Sequence, residues 1–338
     1  MTAMPDMNSE SPDASIPWHY GDPFKEQRDL VAGTGQVDLG NREIVSVTGP
    51  DRNSWLNSLT TQDLLTPFKS TQTLVLSPHG HIEHDLHVID DGKTTWLIVE
   101  PGSAAGLIKF LESMKFMLRV EIADRTEEFA VIGAPGWVET NFPTWHSSGV
   151  YVDFSNDIYV TDRPAKWQVS EYLVPRADLL PELTHPVGSW AWEAHRIRAG
   201  VARFKFETDH KTIPHEIGLI GAAVHLNKGC YRGQETVARV VNIGQPPRRL
   251  VHLELDGSTN ELPAIGAEVL HSGTAVGHLT SVVQDFESGP VGLALIKRTT
   301  PTDVVLTVDQ VSAAQTVIVK PDAQPLAQPT LNSRRLLS

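Results

Sequence analysis

Cysteine is nearly absent from the chain: Cys230 is the only one in 338 residues. A single thiol excludes an internal disulfide framework and is most at home in a reducing compartment. Long apolar runs are missing too, since no stretch approaches the ~20 residues a helix needs to cross a bilayer. The opening MTAMPDMNSESPDASIP has no basic n-region, apolar h-region or Arg-rich pattern, so residues 1–26 read as an acidic, disordered tail rather than a targeting peptide. These absences lead to the expectation of a cytoplasmic protein with no membrane partner. Basic charge is scarce as well: 28 Lys and Arg stand against 41 Asp and Glu, a net charge of −13. Such a surface repels phosphate backbones and argues against direct nucleic-acid binding.

The few cations are concentrated. Between His195 and Leu250 ten basic residues face four acidic ones, which makes that stretch +6 and the remainder −19. Either this is a basic face that docks on the chain's own acidic parts, or it lines an anion pocket. The lone cysteine lies inside it.

Hydrophobic periodicity supplies the organisation. Arg42–Val47 alternates as a strand, and Trp55, Leu56 and Leu59 mark a short helix opened by Pro50-Asp51. Leu74–Leu76 and Ile82–Ile89 flank Ser-Pro-His-Gly as a hairpin, and Thr95–Val99 continues the sheet. Leu107, Phe110, Leu111, Met114 and Leu118 form the core stripe of a second helix. Glu128–Pro175 is strand-rich, and SWAWEAHRIRAG is a helix begun at Ser189 and stopped by Gly200. Beyond Pro246-Pro247 the pattern turns to short strands punctuated by glycine, the spacing of a small barrel. The expected fold is α+β, with residues 27–245 in two subdomains, a β-barrel over 246–322 and a disordered tail over 323–338.

Two features could carry chemistry. In HLNKGCYRGQE, Cys230 precedes a helical Gln234–Val241 and is flanked by Lys228 and Arg232, a setting that favours a thiolate able to act as nucleophile, redox thiol or soft-metal ligand. A cysteine hydrolase would require a histidine base and an orienting group, which fourteen histidines leave open without specifying. Cys230 could supply at most one ligand to an iron–sulfur cluster. The second feature is HGHIEHDLH. On a regular strand His81, Glu83, Asp85 and His87 would share one face, as metal ligands or as a polar wall over a solvated cleft. No metal is expected there, because imidazoles so closely spaced on a flat strand rarely converge tetrahedrally.

KGCYRGQE resembles the signature of the YgfZ family, folate-binding proteins implicated in iron–sulfur cluster assembly and tRNA modification and related to the aminomethyltransferase T-protein of glycine cleavage. The resemblance extends to VTGPDRNSWLNSLTTQD, SPHGHIEHDLHVI, RIRAGV, TIPHEIGL and ARVVNIGQPPRRL, covering about Arg42 to Lys297. It implies a ring of three subdomains, the last a small barrel, with tetrahydrofolate in a central hole. It also implies an accessory factor whose partners are folate and the iron–sulfur assembly machinery or its client enzymes, acting as a monomer. On these terms Cys230 and Asp85 are the reactive groups, and Lys228, Tyr231, Arg232, Gln234, Glu235, Glu216 and Arg196 line the folate site. Two departures count against a true aminomethyltransferase. The Asp-Asp pair of those enzymes is His84-Asp85 here, and their pterin-gripping Tyr-Thr-Gly-Glu has no counterpart in DRPAKWQVSEYLVP. A pterin edge binds best to a carboxylate that accepts two parallel hydrogen bonds, so Glu216 and Asp85 are the candidate acids. A folate-dependent aminomethyl or one-carbon transferase remains the alternative.

Overall fold

The computed structural model describes residues 6–9, 11, 13–147, 165–242, 245–259 and 261–322. The tail expected over 323–338 lies outside the described residues. In chain order the elements are α1 (Pro23–Val31), β1 (Gln36–Asp38), β2 (Glu43–Thr48), α2 (Arg52–Leu59), β3 (Ser70–Leu76), β4 (Ile82–Asp90), β5 (Thr94–Val99), α3 (Ala104–Ser113), β6 (Glu121–Asp124), β7 (Phe129–Pro135), β8 (Thr144–His146) and β9 (Val169–Pro175). They continue with α4 (Leu179–Glu182), β10 (Pro186–Val187), α5 (Ser189–Arg198), α6 (Gln234–Asn242), β11 (Arg248–Leu255), β12 (Glu268–His271), β13 (Thr274–Asp285), β14 (Gly289–Lys297), β15 (Leu306–Val308) and β16 (Val311–Val317). No helix among the described residues is long and apolar enough to cross a membrane.

Strands β3-β4-β5-β2-β6 form one sheet, β10-β1-β7-β9-β8 a second, and β11-β14-β13-β12-β15-β16 a closed barrel. The first sheet is apolar on both faces because its strands alternate between two cores. Val45, Val47, Leu97 and Val99 pack with Trp55, Leu56, Leu107 and Leu111 of the helices, while Ile44, Trp96 and Ile98 meet Val131, Trp145 and Leu173 of the second sheet. Each such side chain removed from water contributes about 1.5–3 kcal/mol. Helix α5 joins the bodies: Trp192 packs between the sheets, and Ala194 and Ile197 pack with Leu293 and Leu295 of the barrel.

Helix α3 is shorter than its apolar stripe predicts. It ends at Ser113, because the Met114 carbonyl accepts from the Trp55 indole and Arg119 is drawn onto Asp51, which turns the chain toward β6. Leu107 and Leu111 are fully buried, whereas Met114 and Leu118 are exposed.

The expected disordered stretch 1–26 is also corrected, since most of its described part is folded. Asp6 bridges to His19, Ile16 is buried, Trp18 stacks on Trp190 at 5.2 Å, and α1 starts at Pro23 with Asp22 as its cap. A polar average hides two anchors here: the apolar residues find a core, and Asp13 finds a buried cation, Arg203. Gly188 records the closeness of this contact, for a Cβ there would lie 2.1 Å from the Trp18 carbonyl oxygen.

Candidate functional site

A cavity of about 790 Å³, counting the solvent at its mouth, lies between the two sheets and α5. The first sheet supplies Gln72, Asp85, His87 and Glu100, the second supplies Trp145 and Glu171, and Trp167, Trp192, Arg196, Arg203 and Phe204 close the sides. Asp85 and His87 both reach it because residues two apart on a strand share a face, and a bulge in β4 sets them apart from the residues before them. Val75 pairs with His84 and Leu76 with Ile82, so Glu83 is the extra residue and the side-chain alternation shifts by one. The single face expected for His81, Glu83, Asp85 and His87 is therefore broken at Glu83, which instead accepts from Arg232 on the surface. Among the described residues no three His, Cys, Asp or Glu are gathered to hold a metal ion.

Both oxygens of Asp85 accept from the Gln72 amide, at 2.9 and 3.0 Å, and burial raises the carboxyl above the ordinary aspartate range. Two residues on, His87 Nδ1 lies 2.7 Å from Glu171 Oε2, and its ring stacks on Trp145 with centroids 3.7 Å apart and planes within 1°. Burial opposes the charged imidazole, yet Glu171 and Asp85 together hold its pKa above the usual value. A sequence reading restricted to Tyr-Thr-Gly-Glu misses Glu171 and Trp167, although both lie in the very segment where that motif was sought. An acid within an otherwise apolar strand, VSEYLVP, was the signal available.

The floor of the cavity is an ion network. Arg203 pairs with Asp13, Glu100 and Glu193, Arg196 pairs with Glu193 and Glu207, and Arg42 pairs with Glu100. Burial alone would raise the pKa values of Asp13 and Glu100, but the arginines bring both down to about 2. Arg196, expected at the folate site, does line the cavity, but its guanidinium is spent on Glu193, Glu207, the Val201 carbonyl and Ser281. Other cations of the basic segment are also engaged within the chain. Arg198 pairs with Asp285 and Glu287, Arg248 with Asp209 and Glu216, and Lys205 donates to the Pro101 carbonyl. Of the two readings of that segment, docking on the chain's own acids describes Arg196, Arg198, Arg203 and Arg248.

The other expected site residues lie elsewhere. Cys230 is exposed and is not among the residues lining the cavity, so it does not share a chamber with Asp85. Lys228 does not face the thiol. Its ammonium donates to the carbonyls of Asn57, Thr60 and Gln62 at 2.6–2.7 Å, closing the C-terminal end of α2, and burial lowers its pKa to about 8. Arg232 is held by Glu83 over the Phe110 ring. Tyr231 is buried in the apolar cluster with Leu74, Leu76 and Leu219. The Gln234 amide reaches the Lys228 carbonyl at 3.5 Å, and exposed Glu235 pairs with Arg239. Glu216, one of the two candidate pterin acids, is fully buried against Arg248 and the Ile213 N–H. The loop itself is tightly seated. Gly233 has φ +83°, and a Cβ there would meet the Ser77 carbonyl oxygen at 2.6 Å, so the Cys230 loop packs backbone to backbone on the β3–β4 turn.

No protein-family model matches the chain. It is 27% identical over 289 residues to a chloroplastic protein of Arabidopsis thaliana carrying a transferase name, covering 79% of this chain and 66% of that one. It is 25% identical over 329 residues to the mitochondrial iron–sulfur cluster assembly factor IBA57 homolog of Neosartorya fischeri, covering 81% and 72%. The chain thus spans about two thirds to three quarters of the length of these relatives. Among solved structures, the glycine cleavage system aminomethyltransferase T of Bartonella henselae superposes with a TM-score of 0.70 at 17% identity, covering 92% of each chain. The fold is that of the aminomethyltransferases, mixed α and β with a C-terminal six-stranded barrel.

Proposed function

We propose that the protein is a tetrahydrofolate-binding accessory factor for iron–sulfur cluster assembly or repair, working where its thiol stays reduced. One observation carries the folate part. A cavity on the aminomethyltransferase fold sets a half-buried acid, Asp85, among three tryptophans and a phenylalanine, the surroundings suited to a flat heterocycle with a hydrogen-bonding edge. Asp85 is the pterin acid in this reading, because Glu216 is committed to Arg248. The iron–sulfur part is supported by the likeness to the Neosartorya assembly factor. Cys230, exposed on a loop pinned by Lys228 and Gly233, is the group offered to a client protein or cluster.

The test has two arms. Tetrahydrofolate should raise the melting temperature in proportion to the logarithm of its concentration, with little dependence on salt, because the cavity arginines are already paired. Absence of any shift at millimolar ligand removes folate from the reading. In cells lacking the wild-type protein, Cys230→Ser should fold normally yet leave iron–sulfur enzymes inactive, and full activity would make the thiol structural. The transferase alternative is favoured by one feature, the acid and imidazole side by side in the cavity. Formation of methylene-tetrahydrofolate from an aminomethyl donor would establish it.

A further inference from the structure

We propose that His87, held by Glu171, is an acid–base group of the cavity that exchanges a proton with a basic ring nitrogen of the bound ligand. The identity of that ligand rests on the folate reading above, but the geometry of the pair does not.

A carboxylate can only accept, so the hydrogen in the 2.7 Å contact resides on His87 Nδ1 and points at Glu171 Oε2. Glu171 is itself 3% exposed, and its one side-chain hydrogen bond among the described residues is to this ring, with Arg42 close enough to favour its ionised form. Trp145 stacked face to face removes the remaining rotational freedom. That leaves Nε2, which hydrogen-bonds to no described group. His87 lines the cavity and its side chain keeps 26% exposure, so the ring is within reach of whatever occupies the chamber. A histidine kept only for packing would be better replaced by an aromatic ring, since here it obliges a second buried acid to accompany it. An imidazole oriented by a carboxylate with its far nitrogen free is the standard arrangement for proton transfer.

The charged groups around the ring are Asp85 on its own strand, Glu171 on β9, Glu100 after β5 and Arg42 before β2. Burial and Arg42 favour the neutral ring, and the carboxylates outweigh them. The step itself is one proton. The Nε2–H bond breaks with its electron pair left on the imidazole, and an N–H bond forms on the lone pair of the ligand's amine nitrogen. Neutral His87 keeps its hydrogen bond to Glu171, and the reverse step restores it.

The experiment pairs two readouts on the full chain from pH 5.5 to 9. Histidine NMR of the ligand-free protein follows the His87 ring, and quenching of tryptophan fluorescence follows tetrahydrofolate binding. The wild-type ring should titrate above 6.5, and Glu171→Gln should lower that midpoint by about one unit. Tetrahydrofolate affinity should change about tenfold across the same midpoint, shift with it in Glu171→Gln and become flat in His87→Gln. An affinity profile unchanged in His87→Gln, or a ring that titrates at or below 6.5, overturns the proposal. If tetrahydrofolate does not bind at any pH while the ring titrates high and responds to Glu171→Gln, the folate reading falls and the pair stands. Should Glu171→Gln fail to fold, the wild-type midpoint and the His87→Gln profile decide the matter.

Discussion

Lys228 shows how a residue's type can be read correctly and its task missed. Beside a lone cysteine its charge looks like an activator of the thiol. The structure gives all three ammonium donors to backbone carbonyls at the end of α2, and a cation there also suits the helix dipole. Methionine would keep the stem and strand three inward-facing carbonyls. Lys228→Met is therefore expected to lower the urea unfolding free energy by about 2 kcal/mol and to expose the Cys230 loop to proteolysis. If stability is unchanged, the three bonds are not holding the loop.

At the scale of the element, the N-terminal segment is the part whose order depends most on distant partners. Asp13 is bound in parallel by both terminal nitrogens of Arg203 at 2.8 Å and also accepts from Asn41, 28 positions away. Removing one member of a buried pair leaves the other charge incompletely met, but Arg203 keeps Glu100 and Glu193. Asp13→Ala should thus cost about 2 kcal/mol rather than the larger loss of an isolated pair. It should also speed limited proteolysis ahead of α1 while leaving the barrel intact. Equal protease resistance in both proteins would show that Ile16 and Trp18 hold the segment without the ion pair.

For the whole molecule, pH is the most general lever. Burial lowers His84, His195 and His252 to about 4 and His215 to about 3. In the unfolded chain each takes up its proton near 6.5, so between pH 6.5 and about 4 the unfolded state binds protons that the folded state refuses. Stability then falls as pH falls through that window, by about 1 kcal/mol per histidine per unit. His87 works in the opposite sense: its raised pKa adds stability that is complete below 6.5 and is lost as pH rises through its folded value. Urea unfolding at pH 6.5, 5.5 and 4.5 should show a steady decline before the carboxylates titrate. A flat profile would mean that these rings are hydrated in the folded protein.

Periodicity and turn chemistry determine a good deal here without any structure. The alternation in β2 and β5, the glycine-punctuated strands of the barrel, the stripe of α2 and the helix after Gly233 are local facts, because each depends on side chains a few residues apart. The resemblance carried by KGCYRGQE extends this to the fold. What tertiary structure alone decided are pairings across long separations. Partners that spend Arg198, Arg203, Arg232 and Arg248 lie on other elements, so a count of charges suggests an anion pocket where the chain is satisfying itself. Glu171 meets His87 across 84 positions, and the bulge at Glu83 decides which residues of β4 face the cavity. Burial and charge pairing are properties of the space between elements, and no window along the chain contains them.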